Sequence, residues 1–83
     1  MRVAYRAKAV GQLRELSPAL RKRITDKIDF YASQSYPLSF AKPLAGYNAY
    51  RFRIGDYRAI AETSGDTLFV LLIVKREGAY RNL

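Results

Sequence analysis

From Leu68 to Val74 the chain reads "LFVLLIV", apolar at every position. A strand of that composition has no face to offer water, so both faces and both edges must be covered by the rest of the chain. Sequence next to it supplies the partners. "AYRFRIGDYRAIAE", Ala49–Glu62, reads as a hairpin, and "TSGDT" as the turn that follows. Three strands are expected, at about Ala49–Ile54, Tyr57–Thr63 and Thr67–Val74. The other edge of the apolar strand needs a neighbour, and "RVAY", Arg2–Tyr5, is the candidate.

Between these strand segments lie two helical patterns. From about Ala7, "AKAVGQLREL" carries Val10, Leu13 and Leu16 three residues apart. The next helix opens with Ser17 as N-cap and Pro18 at the first helical position, and Leu20, Ile24, Ile28 and Tyr31 give it one apolar face. The short joint at Ser17 predicts an antiparallel helix pair. "SQSYPLSFAKPLAGYN" is punctuated by Pro37, Pro43 and Gly46, yet it is too apolar for a free linker. It reads as an ordered crossing anchored by Tyr36, Phe40 and Leu44. The expected fold is α+β: an N-terminal strand, the helix pair, then three antiparallel strands in a small sheet, all in one domain spanning residues 1–83. The helices cover one face, and the other is left open and basic.

The hairpin carries an energetic anomaly. Joined by Gly55-Asp56, its strands place Ile54 opposite Tyr57 and Arg53 opposite Arg58, with Arg51 two residues along on the same side. Like charges directly opposite one another destabilise a sheet, and Glu62 is too far along to compensate. Ile60 on the same face gives it the character of a shallow groove. A three-residue second turn (Ser64, Gly65, Asp66) pairs Thr63 with Thr67 and Arg58 with Leu72, bringing Leu72, Val74 and Arg76 to the arginine face. A four-residue turn sends Arg76 to the opposite face.

The formal net charge is +8, from fifteen Lys and Arg against seven Asp and Glu. So large an excess on a small body attracts polyanions: nucleic acid, an acidic protein or an anionic membrane surface. Cysteine and histidine are absent, which excludes the usual zinc sites, cysteine nucleophiles and histidine triads; no metal or cofactor is expected. No segment has the length and apolarity of a membrane span, and a soluble cytoplasmic protein is expected. Arginine suits phosphate because its planar fork donates paired hydrogen bonds and stays charged. Several such groups on one concave face could hold an RNA backbone or balance charge developing on a phosphate under attack.

"KPLAG", then "YRFRIGDYRAIAE", an apolar strand and "KREGAYR" together resemble the RelE/ParE superfamily of bacterial toxins from toxin–antitoxin pairs, and within it the RelE-like mRNA interferases. The R-x-R-x-G-D-Y-R block carries most of the resemblance, which extends over the whole chain. It implies a ribosome-dependent endoribonuclease in which the RNA's 2′-hydroxyl attacks the adjacent phosphate. By position, Arg53, Arg58 and Arg76 would balance charge on that phosphate, and Tyr80 would orient or deprotonate the 2′-hydroxyl or stack on a base. Arg51, Lys75 and Arg81 would bind RNA, and either Lys75 or Arg76 fills the family's arginine position past the last strand. Arg51 and Arg53 stand where the family often has lysine, a readier proton donor. The implied partners are the ribosome, mRNA and a cognate antitoxin in a hetero-oligomer, with the basic helix face at Arg21–Lys27 available to either antitoxin or RNA. The alternative within the superfamily is a ParE-like gyrase inhibitor without nuclease chemistry, and a third reading is a basic nucleic-acid-binding module. Replacing Arg58 or Tyr80 with Ala is expected to leave the fold intact and abolish toxicity if the protein is a nuclease.

Overall fold

The all-apolar segment takes the interior position its composition requires. In a computed structural model describing residues 1–76, the chain runs through β1 (Arg2–Tyr5), α1 (Ala7–Arg14), α2 (Pro18–Ser33), a 3₁₀ turn (Pro37–Phe40), β2 (Ala41–Pro43), β3 (Tyr50–Ile54), β4 (Tyr57–Ser64) and β5 (Thr67–Lys75). They form a five-stranded sheet in the order β1-β5-β4-β3-β2. β1 pairs with β5 in parallel, and the other pairs are antiparallel. The expected neighbour at Arg2–Tyr5 is therefore the one found.

One strand was not anticipated. Ala41–Pro43 pairs with β3, setting Ala41 opposite Phe52 and Lys42 opposite Arg51. Three residues ending in proline carry almost no strand signal, and proline is tolerated here because β2 is an edge. The Leu44 amide donates to the Ala49 carbonyl at 3.0 Å and closes this second hairpin. Of the expected anchors, Tyr36 is 80 % exposed and holds nothing down; Leu38 packs on the core instead.

α1 and α2 cover one sheet face. Ala9 and Leu13 from α1, with Ile24, Ile28 and Tyr31 from α2, pack on Phe52, Ile54, Ala59, Ala61, Leu68, Val70 and Ile73. The Ser17 hydroxyl accepts from the Leu20 amide, as an N-cap should. Arg21 has a structural role: Nε donates to the Leu13 carbonyl at 3.0 Å, and Nη2 to the Leu16 carbonyl at 3.1 Å. These bonds tie α2 to the carbonyls at and just beyond the end of α1, where the Leu13 oxygen also accepts from the Leu16 amide. Much of the basic face expected at Arg21–Lys27 is thus already engaged, since Lys22 bonds Asp26 and the Lys27 ammonium lies 5.0 Å from the Phe30 ring centre.

The β4–β5 connection differs from both expected turns. Gly65-Asp66 is a two-residue turn that pairs Ser64 with Thr67, with Gly65 at φ +57°. By itself this would put Arg58 opposite Ile73. A bulge between Ile60 and Ala61 restores the parity: Ala61 faces Val70, Ile60 faces Leu72, and Leu71 has no partner. Arg58 accordingly pairs with Val74. Leu72 and Val74 lie on the arginine side as expected, through a shorter turn and an irregularity. A run that is apolar throughout gives no pattern by which to choose between such registers.

Candidate nucleic-acid interface

On the sheet face away from the helices, like charges meet twice. The β3–β4 register sets Arg53 directly opposite Arg58, as the sequence predicts. β2 adds a second pair, Lys42 opposite Arg51. Lys42 was missed because its strand was missed; its place in "KPLAG" was the available signal. Phe40, Lys42, Arg51, Arg53 and Arg58 together line one cleft of about 360 Å³, within the range of small-ligand sites.

The face is not open throughout. Arg53 and Lys42 are exposed and Arg51 is half-buried, but Arg58 is 8 % and Ile60 only 1 % exposed. The Arg58 Nη1 donates to the Gly55 carbonyl at 2.9 Å and to the Tyr57 carbonyl at 2.8 Å. The hairpin turn that makes this possible depends on Gly55, whose φ of +58° suits a glycine-first two-residue turn. Arg58 therefore also contributes to the hairpin, so Arg58→Ala removes two hydrogen bonds to turn carbonyls as well as a charge. On the helix side, the Tyr31 hydroxyl donates to the Arg53 carbonyl at 2.9 Å, and burial raises the Tyr31 pKa above the usual tyrosine value.

The remaining sequence-predicted residues do not all gather here. Lys75 stands opposite Tyr57, and Arg76 is the first residue beyond β5. Both line a second depression of about 370 Å³ with Asp56 and Tyr57. The Arg76 amide donates to the Asp56 carbonyl at 2.8 Å, tying the end of β5 to the hairpin turn. Arg58 lies between the two hollows, lining the first and bonding the carbonyl of Tyr57 from the second. Tyr80 and Arg81 lie outside the described residues. Glu62 is engaged by Arg6 at 3.8 Å, and the Arg6 guanidinium also sits 4.4 Å from the Phe69 ring centre.

A mixed five-stranded sheet, a helix pair on one face and a cation-lined cleft on the other make an α+β protein whose fold is similar to that of solved RelE chains. The isolated RelE toxin of Escherichia coli has the same fold, at TM-score 0.72 and 16 % identity over 99 % of this chain and 98 % of that one. A chain of the toxin–antitoxin complex RelBE2 from Mycobacterium tuberculosis matches at TM-score 0.75 and 23 % identity, covering 90 % of this chain and 96 % of that one. The archaeal RelE–RelB complex from Pyrococcus horikoshii matches at TM-score 0.73 and 27 % identity, over 94 % and 97 %. No protein-family model and no curated protein matches the sequence. The fold agrees with the RelE resemblance read from the hairpin motif. Among the described residues, no helix is long and apolar enough to cross a membrane.

Proposed function

We propose that this protein is the toxin of a type II toxin–antitoxin pair and acts in the cytoplasm as a ribosome-dependent mRNA endoribonuclease. The observation that carries the reading is the convergence of Arg51, Arg53 and Arg58, with Lys42, on one cleft. Two like-charge pairs face one another on adjacent strands, and an anion between them would offset their mutual repulsion. A phosphodiester matches that demand, and guanidinium forks match its oxygens.

In the proposed reaction the 2′-oxygen bonds to phosphorus while the bond to the 5′-oxygen breaks, leaving a 2′,3′-cyclic phosphate and a 5′-hydroxyl. The 2′-hydroxyl loses its proton and the departing 5′-oxygen gains one. Arg58, held by two hairpin carbonyls, would present a pre-positioned charge to the pentacoordinate phosphate, which is where fixed donors contribute most. Arg53 would act from the exposed side of the same cleft. Arg76 is assigned to the same charge-balancing set, with Arg51, Lys75 and Arg81 binding the RNA strand. Tyr80 is assigned to the 2′-hydroxyl; a cation brought near it would favour its phenolate form. The chain has no histidine, so no side chain titrates near neutrality in its ordinary state. The ribosome would then supply the geometry of the mRNA.

The RelE chains of the archaeal and mycobacterial complexes occur with antitoxins. By analogy we assign this chain a cognate antitoxin, acidic where it covers the cleft. Primer extension on cellular mRNA after induction tests the reading: cuts phased to codons are expected, lost in Arg53→Ala. Intact mRNA in filamenting cells with damaged DNA would instead indicate gyrase inhibition.

A further inference from the structure

Phe40 ends the 3₁₀ turn two residues before Lys42, and it is 43 % exposed. Its ring is nevertheless braced. Tyr31 lies 5.1 Å away between centroids at 32°, and Phe30 6.1 Å away edge-on. Tyr31 in turn stacks on buried Phe52 at 5.3 Å and bonds the Arg53 carbonyl. The ring is thus held to the core and to β3, while it lines the arginine cleft. Phe30, also half-exposed, carries the Lys27 ammonium 5.0 Å from its ring centre.

A half-exposed aromatic forgoes part of the about 1.5–3 kcal/mol that full burial of its side chain would contribute. Its packing on Tyr31 and Phe30 leaves nearly half of it exposed at the cleft. A rigid aromatic surface beside four cations does have a physical use: unstacked bases stack on it while the cations hold the backbone.

We infer that Phe40 is a base-stacking platform, with the cleft taking one nucleotide of single-stranded RNA, its base on the Phe40 ring and its phosphate among Lys42, Arg51 and Arg53. The inference rests on the RNA reading above and adds to it a residue that contacts the base. Stacking on an aromatic ring discriminates poorly among bases, so Phe40 would contribute affinity and register more than sequence choice.

The full-length chain and a short fluorescent oligoribonucleotide at low salt provide the test, with an abasic strand of equal charge as control. Phe40→Leu keeps the apolar packing on Tyr31 but removes the π-face. It is expected to weaken binding of the base-bearing strand about tenfold and to leave the abasic strand unchanged. Since the chain contains no tryptophan, Phe40→Trp introduces a single indole. It should retain affinity, and its fluorescence should be quenched by the base-bearing strand alone. Circular dichroism verifies folding of each variant. RNA binding without quenching, or equal loss on both strands, would overturn the platform and leave the RNA reading standing. Failure of the wild type to bind the oligoribonucleotide would overturn the platform, while the codon-phased cleavage assay decides the toxin reading separately.

Discussion

Arg58 serves two purposes at one atom. Its Nη1 closes the hairpin through the Gly55 and Tyr57 carbonyls, and its charge faces Arg53 across the strands. Arg58→Ala should thus lower stability by about 1–3 kcal/mol, through loss of two charge-assisted hydrogen bonds to turn carbonyls, as well as removing activity. Arg53→Ala, at an exposed position, should change the denaturation midpoint little while abolishing cleavage; parallel urea melts and toxicity assays check the pair. Tyr5 gives a prediction of another kind. Burial, with the charge of Asp29 adding to it, pushes its pKa up to about 12, and its buried hydroxyl has no hydrogen-bond partner among the described residues. The folded state keeps the proton that the unfolded chain loses above about pH 10. Stability should hold below that pH and fall as it rises toward 12. Tyr5→Phe should be no less stable at neutrality and should lose part of that alkaline decline, as followed by melts from pH 8 upward.

At the scale of elements, β5 poses a problem that α1 solves. β1 covers its outer edge only from Thr67 to Val70, leaving the rest of that edge to other partners. Gln12 of α1 continues the ladder: its Oε1 accepts from the Ile73 amide at 2.7 Å. Such a contact also shields a strand edge from pairing with another chain. Gln12→Ala should cost about 1–2 kcal/mol and speed amide exchange at Ile73 relative to Val70; equal protection would show that the side chain matters little. The helices themselves were legible in the periodicity of Leu13, Ile24, Ile28 and Tyr31 and in the Ser17-Pro18 start. The role of Gln12 was not, because nothing local marks a side chain that bonds a residue 61 positions away.

For the whole molecule, charge is the dominant property. The net +8 is distributed unevenly in effect: Arg21 and Lys22 are engaged within the helix pair, whereas Lys42, Arg51, Arg53 and Arg58 are gathered along one cleft. RNA affinity should therefore follow the number of phosphates held at the cleft rather than net charge. With one phosphate held there, raising salt from 50 to 200 mM should weaken binding only about threefold, following a slope near −0.7 per phosphate on a single strand. A slope several times steeper would mean that the whole surface binds without specificity.

Strand composition, turn glycines and alternation were enough to establish an α+β fold, to require a neighbour for β5 and to bring Arg53 opposite Arg58, because these features arise from contacts close in sequence or from a period of two. Tertiary structure alone decided the rest. It recruited Ala41–Pro43 as an edge strand, which brought Lys42 and Phe40 to the arginines. It inserted the bulge that keeps Leu72 and Val74 on their side, and it separated Lys75 and Arg76 into a neighbouring hollow. The physical reason is the same in each case. A three-residue edge and a uniformly apolar strand hold no preference of their own, so their register is set by the partners that pack against them.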